Sequence, residues 1–509
     1  MTTSGRFTLL IAYLLTCGLL GAYYCSIPPS PDQSIFDYMA VLNHLGALHY
    51  SGAFDVTWPG QLFVHDLGVA LFGVHPWTAR LTDFLYLQLG VVAVAGFAAA
   101  AGYRRAAVAL LFVYPLIYVT SGSWMTGLRD IVAMHLLIGA AALLVWRPRQ
   151  PFAAGLLASY AVATRPTYLF FAGWVVIDDL VRTWRGGRAT DFAMRTVGLA
   201  SGMAAIALAL IIAGYATGTL GPWFAQAVRF VVEVYSDHGS RGQLAMRFLI
   251  EVTRDWHWLA LAAVIGAVTW GHGALRTRPF NLVAGMTITV LVSYFVQNKG
   301  FGYHRSGLIP LMTITACIGA EIGWTAWRAS SQRATGRWIV IAGACAAILM
   351  ALGATLRFKN NLMPFIVQTA TGSLRPDARS DERDRMVSII RAESRKGDTF
   401  YQFGWNYDVA YLSALPSPSR YINGPAMTMI RADDAKYSQW LAQLENDLVT
   451  RRPRFILIDL DYIAERRDTP MTRLMARIVA SHYRIRACGA SMGLYERADL
   501  APRAMPGRC

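Results

Sequence analysis

Four short stretches of this chain carry the residue types that acid–base and phosphate chemistry need. The first, Pro28 to Arg80, holds Asp32, Asp37, Asp55 and Asp66 with four of the ten histidines, His44, His49, His65 and His75. It has no Lys or Arg before Arg80, in a protein of net charge +16. Pro28, Pro29 and Pro31 end the preceding apolar run and keep the chain extended, which presents Asp32 at once at the membrane surface. A carboxylate there can accept a proton from an attacking hydroxyl. From Ser34 to His49 the pattern predicts a helix lying on the membrane, with Asp37 and His44 on one face. Asp32, Asp37 and His44 could also hold a divalent metal cation. The plainer alternative makes the acids a helix cap and solvated loop groups. His49, His65 and His75 read as interfacial packing residues.

The other three stretches are cationic. In QNKGFGYHR (297–305), Lys299, His304 and Arg305 stand among glycines that let backbone N–H groups approach a ligand. Lys and Arg bind phosphate oxygens through charge-assisted hydrogen bonds. The alternative is a tight interfacial turn whose cations reach for water. In SGSWMTGLRD (121–130), Arg129 either pairs with Asp130 or faces a cavity. In ATRPT, Arg165 precedes a proline near a span end, where a buried arginine beside a cavity is functional by default.

The elements that position these residues are membrane helices. The chain has 509 residues, 55% hydrophobic and 15% charged, the composition of a polytopic membrane protein. Eleven apolar segments are predicted spans: 7–25, 81–102, 106–120, 131–146, 152–163, 168–180, 192–215, 258–271, 282–296, 307–324 and 338–356. The first reads as an uncleaved signal anchor. With the N-terminus cytoplasmic, Arg104–Arg105, Arg147/Arg149, Arg182/Arg185/Arg188, Arg276/Arg278 and Arg328/Arg333/Arg337 all fall on the cytoplasmic side. Joining the two segments around Arg165 would put three arginine clusters outside, so they stay separate. The four chemical stretches then share the outer side. The positive charge is topogenic and does not point to nucleic acid. Arg far outnumbers Lys, a bias that fits a GC-rich bacterial genome.

The segment 216–257 reads as an amphipathic interfacial helix and a polar turn, SDHGSRG. After Arg357 the composition turns polar. The expected organisation is a transmembrane domain, 1–356, followed by a soluble periplasmic α/β domain, 357–509. DTFYQFG and RFILIDLD read as strands, DDAKYSQWLAQLENDLVTR and TPMTRLMARIVASHY as helices, and YRIRACGASMGLYER as a hairpin. No cysteine spacing suits a metal; Cys488 and Cys509 either pair or remain free thiols.

The order PDQ, Phe36, HLGALHYSGAF, Asp55, WPGQLF, ALFG and Arg80, with weaker matches at GLRD, ATRP and FGYHR, resembles the GT-C superfamily of integral membrane glycosyltransferases. Within it, the pattern looks like that of the bacterial relatives of protein O-mannosyltransferases and of the lipid A aminoarabinose transferase. The resemblance implies transfer of a sugar from a polyprenyl-phosphate donor at the outer face of the inner membrane, to a lipid, glycan or protein acceptor. It implies that Asp32 is the catalytic acid. Gln33 replaces the family's usual second acid, and Asp37 is its substitute. Arg129, Arg165, Lys299, His304 or Arg305 would neutralise the departing lipid phosphate. The superfamily has metal-dependent and metal-independent members.

Three other classes would account for part of this pattern. A transporter or flippase should show inverted repeats or interrupted helices in matching positions, and none is visible. A surface-polysaccharide polymerase or ligase shares outward chemistry but usually carries a large late loop. A scaffold would leave the acidic first loop unexplained.

Overall fold

The computed structural model describes residues 3–147, 150–235, 241–274, 277–329, 334–373, 378–431 and 434–500. In chain order its helices are α1 (Thr3–Cys25), α2 (Pro31–His44), α3 (Pro59–Phe72), α4 (Thr78–Ala100), α5 (Arg104–Val119), α6 (Arg129–Trp146), α7 (Pro151–Thr164), α8 (Leu169–Trp184), α9 (Ala189–Ala216) and α10 (Leu220–Trp223). There follow α11 (Arg241–Ala274), α12 (Arg278–Gln297), α13 (Leu308–Arg328), α14 (Ala334–Arg357), α15 (Met363–Ala370) and α16 (Ala378–Glu393). The last are α17 (Asp408–Ser413), α18 (Gly424–Met427), α19 (Ala435–Arg451), α20 (Leu460–Glu465) and α21 (Pro470–His482). The strands are β1 (Phe400–Phe403), β2 (Phe455–Asp459), β3 (Tyr483–Cys488) and β4 (Met492–Arg497).

Each predicted span falls on one helix: α1, α4 to α9, and α11 to α14. Seven described segments are long and apolar enough to cross a membrane. By contrast α5, α7 and α8, at 16, 14 and 16 residues, fall short of the roughly 20 an upright span needs. The break between α7 and α8 is real. Pro166 bars Arg165 from helical geometry, and Arg165 sits extended at φ −141°, ψ 97°. The fold is that of a polytopic α-helical membrane protein with a small C-terminal sheet.

The chain forms two compact units. The first comprises Met1–Ile27, Asp83–Leu210 and His238–Leu374; the second comprises Pro28–Thr82, Ile211–Asp237 and Arg375–Cys509. The first unit is a helical bundle whose core includes Leu87, Ile117, Leu137, Leu259 and Ile314. Glycine sets one of its close crossings: a Cβ on Gly319 would stand 2.4 Å from the Gly266 Cα, so only glycine lets α11 and α13 approach this closely. Within α11 the helix kinks at Trp256 (φ −138°, ψ 26°). This helix starts well before the predicted span at 258.

The second unit is built on a sheet in the order β1-β2-β4-β3, with β1 parallel to β2 and the other pairs antiparallel. Every residue of the interior strand β2, FILID, is buried. The predicted strands, helices and closing hairpin of this region all form. Phe54 of the first loop and Phe230 of the 211–237 segment pack into the same core as Tyr401, Ile456 and Tyr462. The segment 224–235 is a wide helix that exposes Phe224 and Val232 and buries Gln226 and Phe230. The turn residues 236–240 and Cys509 lie outside the described residues.

Candidate functional site

The α2 helix of the second unit begins with the sequence Ser30-Pro31-Asp32-Gln33. Ser30 is the N-cap: its hydroxyl accepts the Gln33 N–H at 3.3 Å, and the Gln33 side chain accepts the Ser30 N–H at 3.0 Å. This capping box explains Gln33 without a missing acid. Asp32 stands in the first turn, where the helix dipole favours a carboxylate. Contrary to a helix lying on a membrane with one wet face, α2 is buried from Gln33 through Leu42. Asp37 and His44 therefore do not act as a pair: Asp37 is buried, and His44 is at the exposed end.

The partner of Asp37 is His65 on α3. Its Nδ1 lies 2.6 Å from Asp37 Oδ1, and its Nε2 lies 3.1 Å from the Gln61 amide nitrogen. His65 is thus a carboxylate ligand, not an interfacial packing residue. The other histidines are also engaged. His49 pairs with Asp66 at 2.8 Å, His44 lies 3.3 Å from the Asp66 carbonyl, and the His75 ring stacks on Trp77. Among the described residues no group of three or more His, Cys, Asp or Glu could hold a metal ion, so Asp32, Asp37 and His44 do not form a metal site.

The remaining first-loop acid is structural. Asp55 is fully buried; its Oδ2 accepts from the Asn423 amide at 2.6 Å and its Oδ1 from the Thr57 N–H at 2.6 Å. Arg80, also fully buried, donates to the Pro28 carbonyl at 2.6 Å and so closes the loop on its own start.

The predicted cations belong to the first unit and divide into two groups. Arg165 Nε lies 2.9 Å from Asp130 Oδ1, and the guanidinium also donates to the Gln297 side chain. Asn298 ends α12 in left-handed geometry (φ 51°), turning the chain into Lys299. The charges of Arg129, Arg165 and Lys299 all act on the buried His304 imidazole. Four of the five predicted phosphate ligands are therefore brought together, with Asp130 as an acid among them. The fifth is corrected. Arg305, 1% exposed, donates to Asp255 Oδ2 at 2.7 Å and to Glu251, and lies over the Trp256 ring at 5.3 Å. Its charge is compensated at the α11 kink. Sequence reasoning missed Glu251 and Asp255, although acids four apart on a helix share a face and call for a cation.

Beside the four-residue group, an apolar groove of about 730 Å³ runs between α8 and α12, lined by Phe170, Trp174, Ile177, Ile288 and Val296 among others. Its lining includes Pro166, Thr167 and Val296, the chain neighbours of Arg165 and Gln297.

No family model matches the chain, and neither does any curated protein. Solved structures do. ArnT from Cupriavidus metallidurans, crystallised with undecaprenyl phosphate, superposes with a TM-score of 0.65 at 14% identity, over 99% of this chain and 100% of that one. The archaeal oligosaccharyltransferase AglB from Archaeoglobus fulgidus, in complex with an inhibitory peptide and a dolichol-phosphate, gives 0.52 at 10% identity, over 98% of this chain and 75% of that one. ArnT, a lipid A aminoarabinose transferase, and AglB are both GT-C glycosyltransferases, and the fold of this chain is the GT-C fold.

Proposed function

We propose that this protein is a glycosyltransferase that moves a sugar from a polyprenyl-phosphate donor to an acceptor hydroxyl at the periplasmic face of the inner membrane. The observation that carries the reading is the gathering of Arg129, Arg165, Lys299 and His304 beside an apolar groove whose lining includes the chain neighbour of Arg165, within a GT-C fold. A lipid phosphate has one charged end and a long apolar tail, and this arrangement offers a place for each. That ArnT was crystallised with undecaprenyl phosphate supports the same donor class. The positive-inside pattern supports a cytoplasmic N-terminus and a periplasmic C-terminal region.

In this reading the acceptor oxygen attacks the anomeric carbon while the bond from that carbon to the phosphate oxygen breaks. The polyprenyl phosphate leaves with the bonding pair, and the hydroxyl proton passes to Asp32. Asp37 assists in orienting the acceptor. Negative charge grows on the leaving phosphate, where fixed cations stabilise the transition state more than the ground state. The acceptor is a lipid, a glycan or a protein hydroxyl.

The test uses purified full-length protein, a panel of polyprenyl-phosphate sugars, and the Asp32→Asn variant. Wild type should release polyprenyl phosphate with at least one donor, and folded Asp32→Asn should lose most of that turnover, about 100-fold or more. Full turnover by the folded variant would remove Asp32 from the mechanism.

A further inference from the structure

His65 has no role in the mechanism above, yet it is buried and is the hydrogen-bond partner of Asp37. Asp37 is 2% exposed and only one of its oxygens is satisfied: Oδ1 meets His65 Nδ1 at 2.6 Å, whereas Oδ2 is buried without a hydrogen-bond partner. A bare buried carboxylate oxygen is costly unless a further group supplies a hydrogen.

His65 is fixed from several sides. A carboxylate cannot donate, so Nδ1 carries the proton and Nε2 is the acceptor for the Gln61 amide N–H at 3.1 Å. Gln61 and His65 stand four apart on α3, one turn stacked on the next. Phe36, the chain neighbour of Asp37, meets the imidazole edge-on at 5.3 Å. Tyr411 closes in from the C-terminal part of the unit. Its hydroxyl accepts the His75 N–H at 3.3 Å and donates to the His75 carbonyl at 3.2 Å. Burial first, and then the Asp37 carboxylate, push that hydroxyl up, so it stays protonated on the Asp37 side. The result is one tautomer, one ring orientation and one buried carboxylate oxygen that lacks a hydrogen-bond partner.

We propose that His65 is a positioning residue: it holds the Asp37 carboxylate so that Oδ2 receives the hydrogen of the acceptor hydroxyl. This rests on the transferase reading. It differs from a mere joint between α2 and α3 in requiring an N–H at one particular place.

The experiment compares His65→Asn with His65→Gln in the full chain, in lipid nanodiscs, with whichever polyprenyl-phosphate sugar wild type consumes. The Asn amide nitrogen sits near the position of Nδ1, whereas that of Gln sits near Nε2. His65→Gln is expected to lower kcat by about 30- to 100-fold, the scale of a misplaced catalytic group. His65→Asn should stay within about fivefold of wild type. Both should keep the donor KM, and thermal unfolding is followed in parallel. Equal kcat values for the two variants at equal folded fraction overturn the proposal, as does activity that merely tracks the folded fraction. Wild type inert toward every polyprenyl-phosphate sugar overturns the transferase reading and this inference with it.

Discussion

Arg165 and Arg305 look alike in the sequence, each beside a helix break and each flanked by polar groups. Among the described residues, Arg165 meets one carboxylate, Asp130, and keeps company with Arg129 and Lys299. Arg305 meets two, Glu251 and Asp255, and packs over Trp256. A cation balanced twice over joins elements together. Glu251 and Asp255 also pair with the exposed Arg247 and Arg254, so what sets Arg305 apart is its burial against two carboxylates, whereas Arg165 is buried against one. The difference does not lie in the arginines but in α11, which brings two acids to one of them and none to the other.

Exchanging the residues should separate stability from binding. Arg305→Leu removes the buried counter-charge of Glu251 and Asp255 and leaves them only the exposed Arg247 and Arg254, and is expected to lower folding stability by about 3 kcal/mol. Thermal unfolding in detergent reads this, and the protein that remains folded should keep its donor KM. An unchanged melting point would erase the contrast. Lys299→Ala should do the reverse. It should raise the donor KM by about tenfold, the scale of one charge-assisted hydrogen bond, while unfolding hardly moves. Destabilisation without a change in KM would put Lys299 in the same class as Arg305.

The smallest effect marks the far end of the scale, an exposed pair in the other unit. A hydrogen bond from Lys436, then one from Tyr437, holds the Glu233 carboxyl below the usual carboxylate range. Its stabilising effect is present above the unfolded value, about 4.3 for Glu, and is lost as pH falls through the lower folded value. Lys436→Met should therefore melt marginally below wild type near neutral pH and together with it in acid. A difference that grows in acid would contradict the assignment.

Much of this was legible in short-range pattern. Ser30 to Gln33 spells a capping box, Pro166 forces the break at Arg165, and short β-rich runs ending in turn residues mark the strands at 400–403 and 455–459, because each signal depends on residues within a turn or two. The apolar segments fixed the helices for the same reason. The pairs that define the candidate site were not legible. Asp37 finds His65 28 positions on, and Arg305 finds Glu251 54 positions back, across connections whose paths no local pattern encodes. A hint existed in the four-residue spacings of Gln61 with His65 and Glu251 with Asp255. The expectation that α2 lies on a membrane failed because its apolar pattern was matched to lipid, while the burial is supplied by protein.

That burial carries a consequence for how the protein is made. The Ser34 hydroxyl accepts the Tyr407 N–H, and the Tyr38 hydroxyl donates to the Leu415 carbonyl, contacts 373 and 377 positions apart. At about 5 to 20 residues per second, α2 leaves the ribosome roughly 20 to 75 s before these partners exist. The helix bearing Asp32 and Asp37 thus spends most of synthesis unfinished, and a chain released before residue 407 carries both acids but lacks the surface that seats them.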